Sequence, residues 1–335
     1  MGWTLCGHVM PRDGYGQIVM QCGAELRRMG ADVRVLDMRV KGTWGWPGEK
    51  RWKVQGDALV ACVPEWYEFI AADRLACLTM FESTKFPDER VKTINTRMSD
   101  CIVPSRFCAE VFEACGVTVP IHVAPLGIDP HVYQPVDRSG RDGPYTFLWS
   151  GTPDLRKGWD LVYRAFYAAF GDSHDARLVM HFRQFPRGVT GTMDRNVRLV
   201  EGSISTEDWL ALLREADCFV FPSRGEGWGL PPREAAATGL PVIATNWGGL
   251  ADDIWMWGIP LSVKSTSPAE FGDWEVGEVG EWAEPDMDHL VELMRYCRKE
   301  RVKFDALGQS AAAWLRTEAT WERTARAIQR VMAAC

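Results

Sequence analysis

The chain has 335 residues, of which 46% are apolar, and a formal net charge of −7. This length is enough for two α/β domains of roughly 150 residues, each with its own core. The acidic balance argues against nucleic-acid binding over the whole surface, and no stretch approaches the roughly 18 consecutive apolar residues of a membrane span.

The cysteines and the first residues bear on the compartment. Ten cysteines occur without a Cys-x-x-Cys pair, and the N-terminus lacks the basic segment and apolar core of a secretory signal. We therefore expect free thiols, no transmembrane segment and a cytoplasmic location, which for a viral protein is the host cytoplasm. Cys101, Cys108 and Cys115 recur every seven residues, but no histidine is spaced to complete a zinc site, so no metal is predicted.

The first forty residues have the pattern of a β-loop-α-β unit. Apolar runs at residues 3–9 and 32–36 predict strands, and an amphipathic pattern at 17–29 predicts a helix between them. Gly14 and Gly16 lie where a Rossmann-like domain brings its backbone close to a ligand. They are candidate ligand contacts, although Gly-x-Gly alone is a weak signal and a plain tight turn is the alternative.

Residues 39–53 interrupt this pattern with a long basic loop. They contain five basic residues, three tryptophans and one acid. Basic residues beside Trp44, Trp46 and Trp52 suit phosphate contacts and stacking on bases, or packing on a lipid or glycan. The alternative is a surface loop whose tryptophans fold back onto the domain.

The remainder of the first half contains further predicted strands. Four apolar runs predict strands at residues 58–63, 75–80, 100–103 and 121–125. Open parallel sheets place their ligand crevice at the carboxyl ends of strands, so Glu82, which follows the second of these runs, is a candidate crevice residue. Residues 136–144 are polar and poor in apolar side chains, which predicts an interdomain linker.

The second half opens with a strand at 146–150, which leads through Thr152, Arg156 and Lys157 to a helix at 161–170. Arg156 and Lys157 are adjacent cations at this helix start, and a solvated helix end is one interpretation of them. Further elements are predicted as strands at 178–182 and 197–200, helices at 206–214, 286–299 and 321–333, and a loop at 262–282.

Residues 218–250 give the densest signal. An apolar strand at 218–221 runs into a loop with three glycines, a short helix at 233–238 and a second buried strand at 241–244. Glu226 and Glu234 are eight positions apart, the first in the loop and the second in the opening turn of the helix. Both carboxylates can therefore face one crevice.

The backbone between these glutamates is suited to an anion. The N–H groups of Trp228, Gly229 and Leu230 precede the positive end of the helix dipole, so a phosphate would find hydrogen-bond donors there. The carboxylates would accept hydroxyl hydrogen bonds on either side of it. A ligand with hydroxyls, phosphates and more hydroxyls is a nucleotide sugar, and a glycine-rich loop with a capping glutamate is the structural alternative.

The run from Pro222 to Ile243 resembles the EX7E signature of retaining GT-B glycosyltransferases of family 4. The resemblance implies an α/β GT-B fold, in which two Rossmann-like domains face a central cleft. It implies an N-terminal acceptor-side domain at 1–135, a linker at 136–144, a C-terminal domain that binds the nucleotide sugar at 145–318, and a terminal helix at 319–335 that returns to the first domain.

The resemblance also implies the reaction. A hexose would pass from a nucleotide diphosphate sugar, with UDP-glucose favoured over a GDP-sugar, to a hydroxyl acceptor with retention of anomeric configuration. No cofactor is expected, because the nucleotide sugar is a substrate. No protein nucleophile is expected, because the leaving phosphate helps to deprotonate the acceptor, and no metal is expected.

Site residues follow from the same resemblance. Glu226 would lie by the donor sugar, Glu234 would bind the ribose, and the backbone between them would hold the distal phosphate. The run Arg156, Lys157 and Gly158 resembles the family's basic clamp, in which two cations neutralise charge on the diphosphate. Thr152 stands where many family members carry an arginine, so Arg156 would supply that charge beside Lys157. The predicted catalytic residues are Glu226, Lys157, Arg156 and Glu82, and the predicted donor-binding residues are Gly14, Gly16, Thr152, Trp228, Gly229, Leu230 and Glu234.

The acceptor stays open at this point. One alternative is a phage-type DNA glycosyltransferase that acts on hydroxymethylated bases, so that modified DNA is a candidate partner. An alternative of another class is a catalytically inactive protein that binds a nucleotide sugar.

Overall fold

The computed structural model describes residues 2–10, 13–40, 50–186, 195–271 and 277–334. The chain forms two compact units. The first unit comprises Met1–Gly127, Gly272–Gly280 and Ala319–Cys335, and the second comprises Ile128–Phe271 and Glu281–Glu318.

The first unit contains a six-stranded parallel sheet and a short parallel pair. The strands are β1 (Trp3–Gly7), β2 (Val33–Asp37), β3 (Trp52–Lys53), β4 (Asp57–Ala61), β5 (Ile70–Ala71), β6 (Arg74–Leu78), β7 (Cys101–Val103) and β8 (Ile121–Val123). The helices that precede the second unit are α1 (Gly14–Arg28), α2 (Asp88–Arg97) and α3 (Arg106–Ala114). The main sheet has the order β2-β1-β4-β6-β7-β8, so the strand order reverses between β1 and β4. Leu5, Val60 and Leu78 in its central strands are fully buried, as expected for a parallel sheet that is covered on both faces.

The second unit contains another six-stranded parallel sheet and an antiparallel hairpin. The strands are β9 (Tyr145–Gly151), β10 (Ala176–Phe182), β11 (Val197–Glu201), β12 (Cys218–Phe221), β13 (Val242–Thr245), β14 (Ile259–Leu261), β15 (Val263–Pro268) and β16 (Glu281–Pro285). The helices are α4 (Trp159–Phe170), α5 (Thr206–Glu215), α6 (Leu230–Ala237), α7 (Ile254–Trp257), α8 (Met287–Lys299) and α9 (Arg301–Glu318).

The order of the second sheet is β11-β10-β9-β12-β13-β14, which is the dinucleotide-binding order 3-2-1-4-5-6. The order reverses between β9 and β12. Open α/β sheets bind ligands at such a reversal, beyond the carboxyl ends of the strands. The loops after β9 and β12 are therefore the expected place for a ligand in this unit.

The last helix, α10 (Trp321–Ala333), belongs to the first unit and packs against α1. Arg28 of α1 pairs with Glu322 of α10 at 2.6 Å. Gly127 lies against the start of this helix, because a Cβ atom at that position would lie 2.0 Å from the backbone nitrogen of Trp321.

Several predicted elements need correction. Helix α1 begins at Gly14 instead of residue 17, because Asp13 caps it by accepting a hydrogen bond from the backbone of Gly16. The sequence pattern predicts that Thr206 begins the cap of α5, but the capping residue is Ser205, which forms a capping box with Asp208. Helix α6 begins three residues earlier than predicted, at Leu230. The predicted loop at 262–282 contains strand β15 and the start of β16, and helix α9 was not predicted.

The nine cysteines among the described residues are all free thiols, and eight of them are buried. Within the same residues, none of the helices combines the length and the apolar character needed to cross a bilayer.

Candidate functional site

The loop after β9 holds the two predicted cations at the reversal of the second sheet. Leu155–Lys157 forms a single 3₁₀ turn, which Asp154 caps by accepting a hydrogen bond from the backbone of Arg156 at 2.8 Å. Gly158 ends this turn with a φ of +69°, and a Cβ atom there would lie 2.1 Å from the carbonyl oxygen of Pro222. Only glycine therefore allows the turn to pack this closely on the end of β12.

Glu226, in the loop after β12, lies between these cations. Its Oε1 accepts hydrogen bonds from Lys157 Nζ at 2.6 Å, Ser223 Oγ at 2.9 Å and Arg156 Nη1 at 3.2 Å. Arg156 also donates to the carbonyl oxygen of Gly225 at 2.7 Å. The structure thus brings together three predicted catalytic residues, Glu226, Lys157 and Arg156.

The charges in this cluster are unequal. Burial by itself raises the pKa of Glu226, but Lys157, Arg156 and the hydrogen bond from Ser223 outweigh burial and lower that pKa below its ordinary value. Glu226 is therefore ionised at neutral pH and contacts two cations, of which Arg156 also lies 3.5 Å from the carboxylate of Asp154 through its Nε. Such a cluster offers a ligand both cations and a carboxylate as a hydrogen-bond acceptor.

Glu234 lies in α6 with 4% of its surface exposed. Its Oε2 accepts a hydrogen bond of 3.1 Å from the indole Nε1 of Trp209, a residue of α5. Trp209 fixes the orientation of this carboxylate, and sequence reasoning did not single it out. Its position on the buried side of an amphipathic helix looked like ordinary core packing.

The loop between the two glutamates is held from within the protein by Arg233. Arg233 is fully buried, and the carbon of its guanidinium lies 3.6 Å from the centroid of the Trp228 ring and 4.8 Å from that of the Trp257 ring. It donates to the backbone carbonyls of Trp228, Gly229 and Gly249 and pairs with Asp253 at 2.5 Å. Sequence reasoning did not single out Arg233, because a charged residue beside Glu234 in α6 gives no sign of this role.

The other predicted donor contacts of the second unit lie around this loop. Gly229 adopts a φ of +87°, and Leu230 begins α6 with 8% of its surface exposed. The side chain of Trp228 is buried against Arg233, so only the backbone of Trp228 remains for a ligand. Thr152 is partly buried just beyond the end of β9.

The remaining predicted residues lie in the first unit. Gly14 and Gly16 form the first turn of α1 instead of a loop, and Asp13 already accepts the N–H of Gly16 at 3.0 Å. A Cβ atom at Gly16 would lie 2.0 Å from the carbonyl oxygen of Met10, whereas Gly14 has open space. Close packing therefore explains the glycine at position 16, and it does not explain the one at position 14.

Glu82 is partly buried beyond the carboxyl end of β6. Burial raises the pKa of Tyr15 above its ordinary range, and the negative charge of Glu82 adds to this effect. Tyr15 lies 3.1 Å from Thr79 through their hydroxyl oxygens and accepts the N–H of Met80 at 3.3 Å. Glu82 thus lies within electrostatic reach of the start of α1.

The basic loop is described only in part, since residues 41–49 with Trp44 and Trp46 lie outside the described residues. Trp52 is 8% exposed and packs on Trp66, with ring centroids 6.2 Å apart. Trp52 therefore folds back onto the domain, as the alternative interpretation has it. The prediction that Trp52 stacks on a base is wrong, because its ring is buried. Lys50 and Arg51 are exposed, with Lys50 Nζ 4.7 Å from the centroid of the Trp52 ring.

Known proteins resemble this chain in sequence and in fold. Residues 144–273 match the family model of glycosyl transferases group 1. Over 178 residues, half of this chain, the sequence is 27% identical to the GDP-mannose-dependent monoacylated alpha-(1-6)-phosphatidylinositol monomannoside mannosyltransferase of Corynebacterium glutamicum. The matched stretch spans 41% of that protein.

Solved structures cover the whole chain. Sucrose-phosphate synthase from Thermosynechococcus elongatus has a TM-score of 0.69 at 15% identity, and HepE of Anabaena in complex with UDP-glucose has a TM-score of 0.68 at 12% identity. Each comparison covers 100% of both chains. The fold is GT-B. This result confirms the predicted fold class, α/β with two Rossmann-like domains.

Proposed function

We propose that the protein is a retaining glycosyltransferase that moves a hexose from a nucleoside diphosphate sugar to a hydroxyl acceptor. The observation that carries the proposal is the cluster at the reversal of the second sheet, where Lys157 and Arg156 hold Glu226 between them. Cations at this crevice suit a diphosphate, and the carboxylates of Glu226 and Glu234 suit sugar and ribose hydroxyls. The family match over residues 144–273 supports the same activity.

In the proposed transfer, the bond between the anomeric carbon and a diphosphate oxygen breaks. The acceptor oxygen bonds to the same carbon on the same face, and the acceptor proton passes to the leaving diphosphate. Lys157 and Arg156 stabilise the charge that develops on the diphosphate, and Glu226 accepts hydrogen bonds from the donor sugar. Because two cations supply this charge, the reaction is proposed to be independent of metal.

UDP-glucose is the first donor to test. Similarity to HepE, which was solved in complex with UDP-glucose, supports it, and the Corynebacterium relative makes GDP-mannose the second donor. The purified protein is mixed with each labelled donor and a set of glycan, lipid and nucleic-acid acceptors, with and without EDTA. Labelled product with an unchanged anomeric configuration and full activity in EDTA is expected, and metal-reversible loss of activity would refute the role of the cations.

Lys157→Ala tests which step the cluster serves. Loss of one preorganised electrostatic contact lowers turnover on the order of 100-fold. Lys303→Ala is the matched control, because Lys303 is an exposed lysine of α9 whose Nζ bonds the hydroxyl of Tyr296. A Lys157→Ala enzyme with unchanged turnover and only a raised KM would assign Lys157 to uniform substrate binding instead.

The same assay separates the competing class. A catalytically inactive protein would bind UDP or GDP tightly and give neither transfer nor donor hydrolysis. Among acceptors, hydroxymethylated DNA is included because Lys50, Arg51 and Lys53 are exposed on one short segment of the first unit.

A further inference from the structure

Arg233 occupies an environment that is costly for a cation. None of its surface is exposed, and the rings of Trp228 and Trp257 lie close to its guanidinium. Burial of a charge is tolerated when the charge is paired and most of its hydrogen-bonding groups are satisfied, and in Arg233 the Nε is the buried nitrogen that has no hydrogen-bond partner among the described residues. Asp253 provides the pairing at 2.5 Å, and Trp257 Nε1 holds the same carboxylate oxygen at 2.7 Å.

The remaining hydrogen bonds of the guanidinium go to backbone carbonyls in two segments, which are the loop between Glu226 and Glu234 and the turn Gly248–Leu250 after β13. The guanidinium donates to the carbonyl of Trp228, to that of Gly229 at 3.3 Å and to that of Gly249 at 3.1 Å. Gly249 donates its own N–H to the carbonyl oxygen of Glu226 at 2.8 Å. One buried side chain therefore ties this loop to the turn Gly248–Leu250.

These bonds determine where the loop directs its N–H groups. The described peptide bonds contain no cis bond, and in a trans peptide unit the C=O and N–H bonds point in opposite directions. A carbonyl of Trp228 that points to the buried guanidinium turns the N–H of Gly229 away from it. The carbonyl of Gly229 turns the N–H of Leu230 away in the same manner, and Pro231 and Pro232 have no N–H to add.

We propose that Arg233 is a positioning residue that holds the N–H groups of Gly229 and Leu230 toward the distal phosphate of the donor. This inference rests on the proposed function, because it assigns the order of the phosphate-binding loop to one side chain. Arg233 acts through the backbone and touches no substrate.

Orientation can be distinguished from charge by the choice of substitution. Lysine retains the positive charge, but its ammonium lacks the planar fork that serves several acceptors while it lies over an aromatic ring. If Arg233 supplied only charge, Arg233→Lys would bind phosphate as the wild type does. If Arg233 orients the loop, the lysine variant loses the phosphate contacts.

Calorimetric titration with UDP and with UMP tests the proposal, with GDP and GMP used if the protein prefers guanine. UMP has the base, ribose and proximal phosphate but lacks the distal phosphate. The ratio of the two affinities therefore isolates the distal phosphate from general damage to the fold. Arg233→Lys is expected to reduce this ratio about tenfold, which corresponds to about 1.4 kcal/mol and is the size of one or two hydrogen bonds to a charged group.

Arg138→Lys is the matched control. Arg138 is another buried arginine of the same unit, 2% exposed, and donates to the carbonyls of Leu213, Ala216 and Thr238 at the ends of α5 and α6. This variant should lose stability as Arg233→Lys does and keep the wild-type ratio of UDP to UMP affinity.

An unchanged ratio in folded Arg233→Lys, or an equal loss in Arg138→Lys, overturns the proposal. If Arg233→Lys does not fold, Asp253→Asn is the deciding variant, because it keeps the guanidinium of Arg233 and removes the negative charge that anchors it. An unchanged ratio of UDP to UMP affinity in Asp253→Asn also overturns the proposal. A wild-type protein that binds no nucleoside diphosphate overturns the proposed function, and this inference with it.

Discussion

At the scale of single residues, Glu226 controls the charge that a ligand meets at the candidate site. Its carboxylate holds Lys157 at 2.6 Å and Arg156 at 3.2 Å, so a diphosphate has to compete with Glu226 for the same two cations. The carboxylate keeps the cations in place before a ligand arrives, and it weakens their attraction for that ligand. Glu226 therefore improves the positions of Lys157 and Arg156 and lowers the affinity of the site for a diphosphate.

Glu226→Gln separates these two effects. The amide keeps the size of the side chain and removes its charge, so the net charge of the cluster rises by one. UDP affinity is expected to rise about three- to tenfold, because each tenfold step is 1.4 kcal/mol and the lost competition is of that order. Transfer should fall by on the order of 100-fold, because the donor sugar loses a charged acceptor.

Calorimetry and a transfer assay on the same preparation measure both quantities. Glu215→Gln is the control, since Glu215 at the end of α5 is exposed and pairs with Arg198 of β11. Weaker UDP binding in Glu226→Gln, with the control unchanged, would mean that Glu226 assists phosphate binding instead of opposing it.

His8 gives the first unit a dependence on pH. It is fully buried after β1, with its ring edge-on to Trp66 at 4.3 Å, and burial lowers the pKa of His8 to about 4. The unfolded chain binds this proton with an ordinary pKa of about 6.5, so it takes up the proton more readily than the folded chain between these values. The stability due to neutral His8 is fully present above pH 6.5 and is lost as the pH falls toward 4.

The expected cost of acidification from pH 7.5 to 5 is about 2 kcal/mol of unfolding free energy from His8 alone. Urea denaturation of His8→Phe at both pH values should show a change smaller by that amount than the wild type shows. His131→Gln, which alters an exposed histidine, should keep the wild-type difference. An equal pH difference in His8→Phe and wild type would contradict burial as the cause.

At the scale of elements, the start of α4 depends on a glycine that permits close contact with β12. Gly158 has a φ of +69°, and a Cβ atom there would lie 2.1 Å from the carbonyl oxygen of Pro222. Gly158→Ala should therefore cost about 2–4 kcal/mol of unfolding free energy, as a strained backbone and a steric clash act together. It should also lower transfer, because it displaces the neighbouring Lys157.

Gly140→Ala is the matched control for this prediction. Gly140 has a similar φ of +73°, but a Cβ atom there would meet nothing within 4 Å. Its cost should be the backbone strain alone, about 1 kcal/mol. Denaturation of both variants gives the difference, and equal costs would show that the contact with Pro222 relaxes without penalty.

The elements also show what the sequence can predict. The segment from β12 to β13 was predicted because its signals are local: apolar runs, prolines at a helix start and Gly239 at its end. The β15–β16 hairpin was not predicted, because residues such as Ser265, Thr266 and Glu281 are polar and exposed, and the strands pair only with each other. Such pairing leaves no apolar pattern along the chain.

Helix α9 was missed for a different reason. It follows α8 after the single residue Glu300, so no capping signal separates the two helices. Its interior contains Gly308, which usually argues against a helix. In the structure a Cβ atom at Gly308 would lie 2.2 Å from the carbonyl oxygen of Gly239, so the glycine is required by packing of α9 on the end of α6.

Some residues of the candidate site could be predicted from local sequence signals, and others could not. Glu226, Glu234 and Lys157 were predicted because each lies in a short motif beside a strand end. The role of Arg233 depends on Gly249 and Trp257, which are 16 and 24 positions further along the chain and reach it only through the folded loop. A single sequence contains no local sign of such a contact.

At the scale of the whole molecule, charge is divided unevenly along the chain. Residues 1–127 hold 15 basic and 15 acidic residues, so the net charge of −7 falls on residues 128–335. Lys50, Arg51 and Lys53 are exposed in the neutral part, where no overall negative charge opposes an anionic acceptor. Since Trp52 is buried, a nucleic acid would be held here by its phosphates and not by stacking on this residue.

This argument predicts how binding responds to salt if DNA is the acceptor. Each phosphate contact contributes about 0.9 to the slope of log affinity against log salt on duplex DNA. Replacement of Lys50, Arg51 and Lys53 by glutamine should reduce that slope by up to about 2.7 and leave UDP affinity unchanged. The same replacement at Arg323, Arg326 and Arg330, exposed on α10 of the same unit, is the control and should keep the slope. Gel shifts measure binding to unmodified and hydroxymethylated duplexes, and labelling measures transfer of the sugar to them. Absence of binding and of labelling at low salt would exclude DNA as the acceptor. The segment would then be assigned to a glycan or small-molecule acceptor, or to ordinary surface.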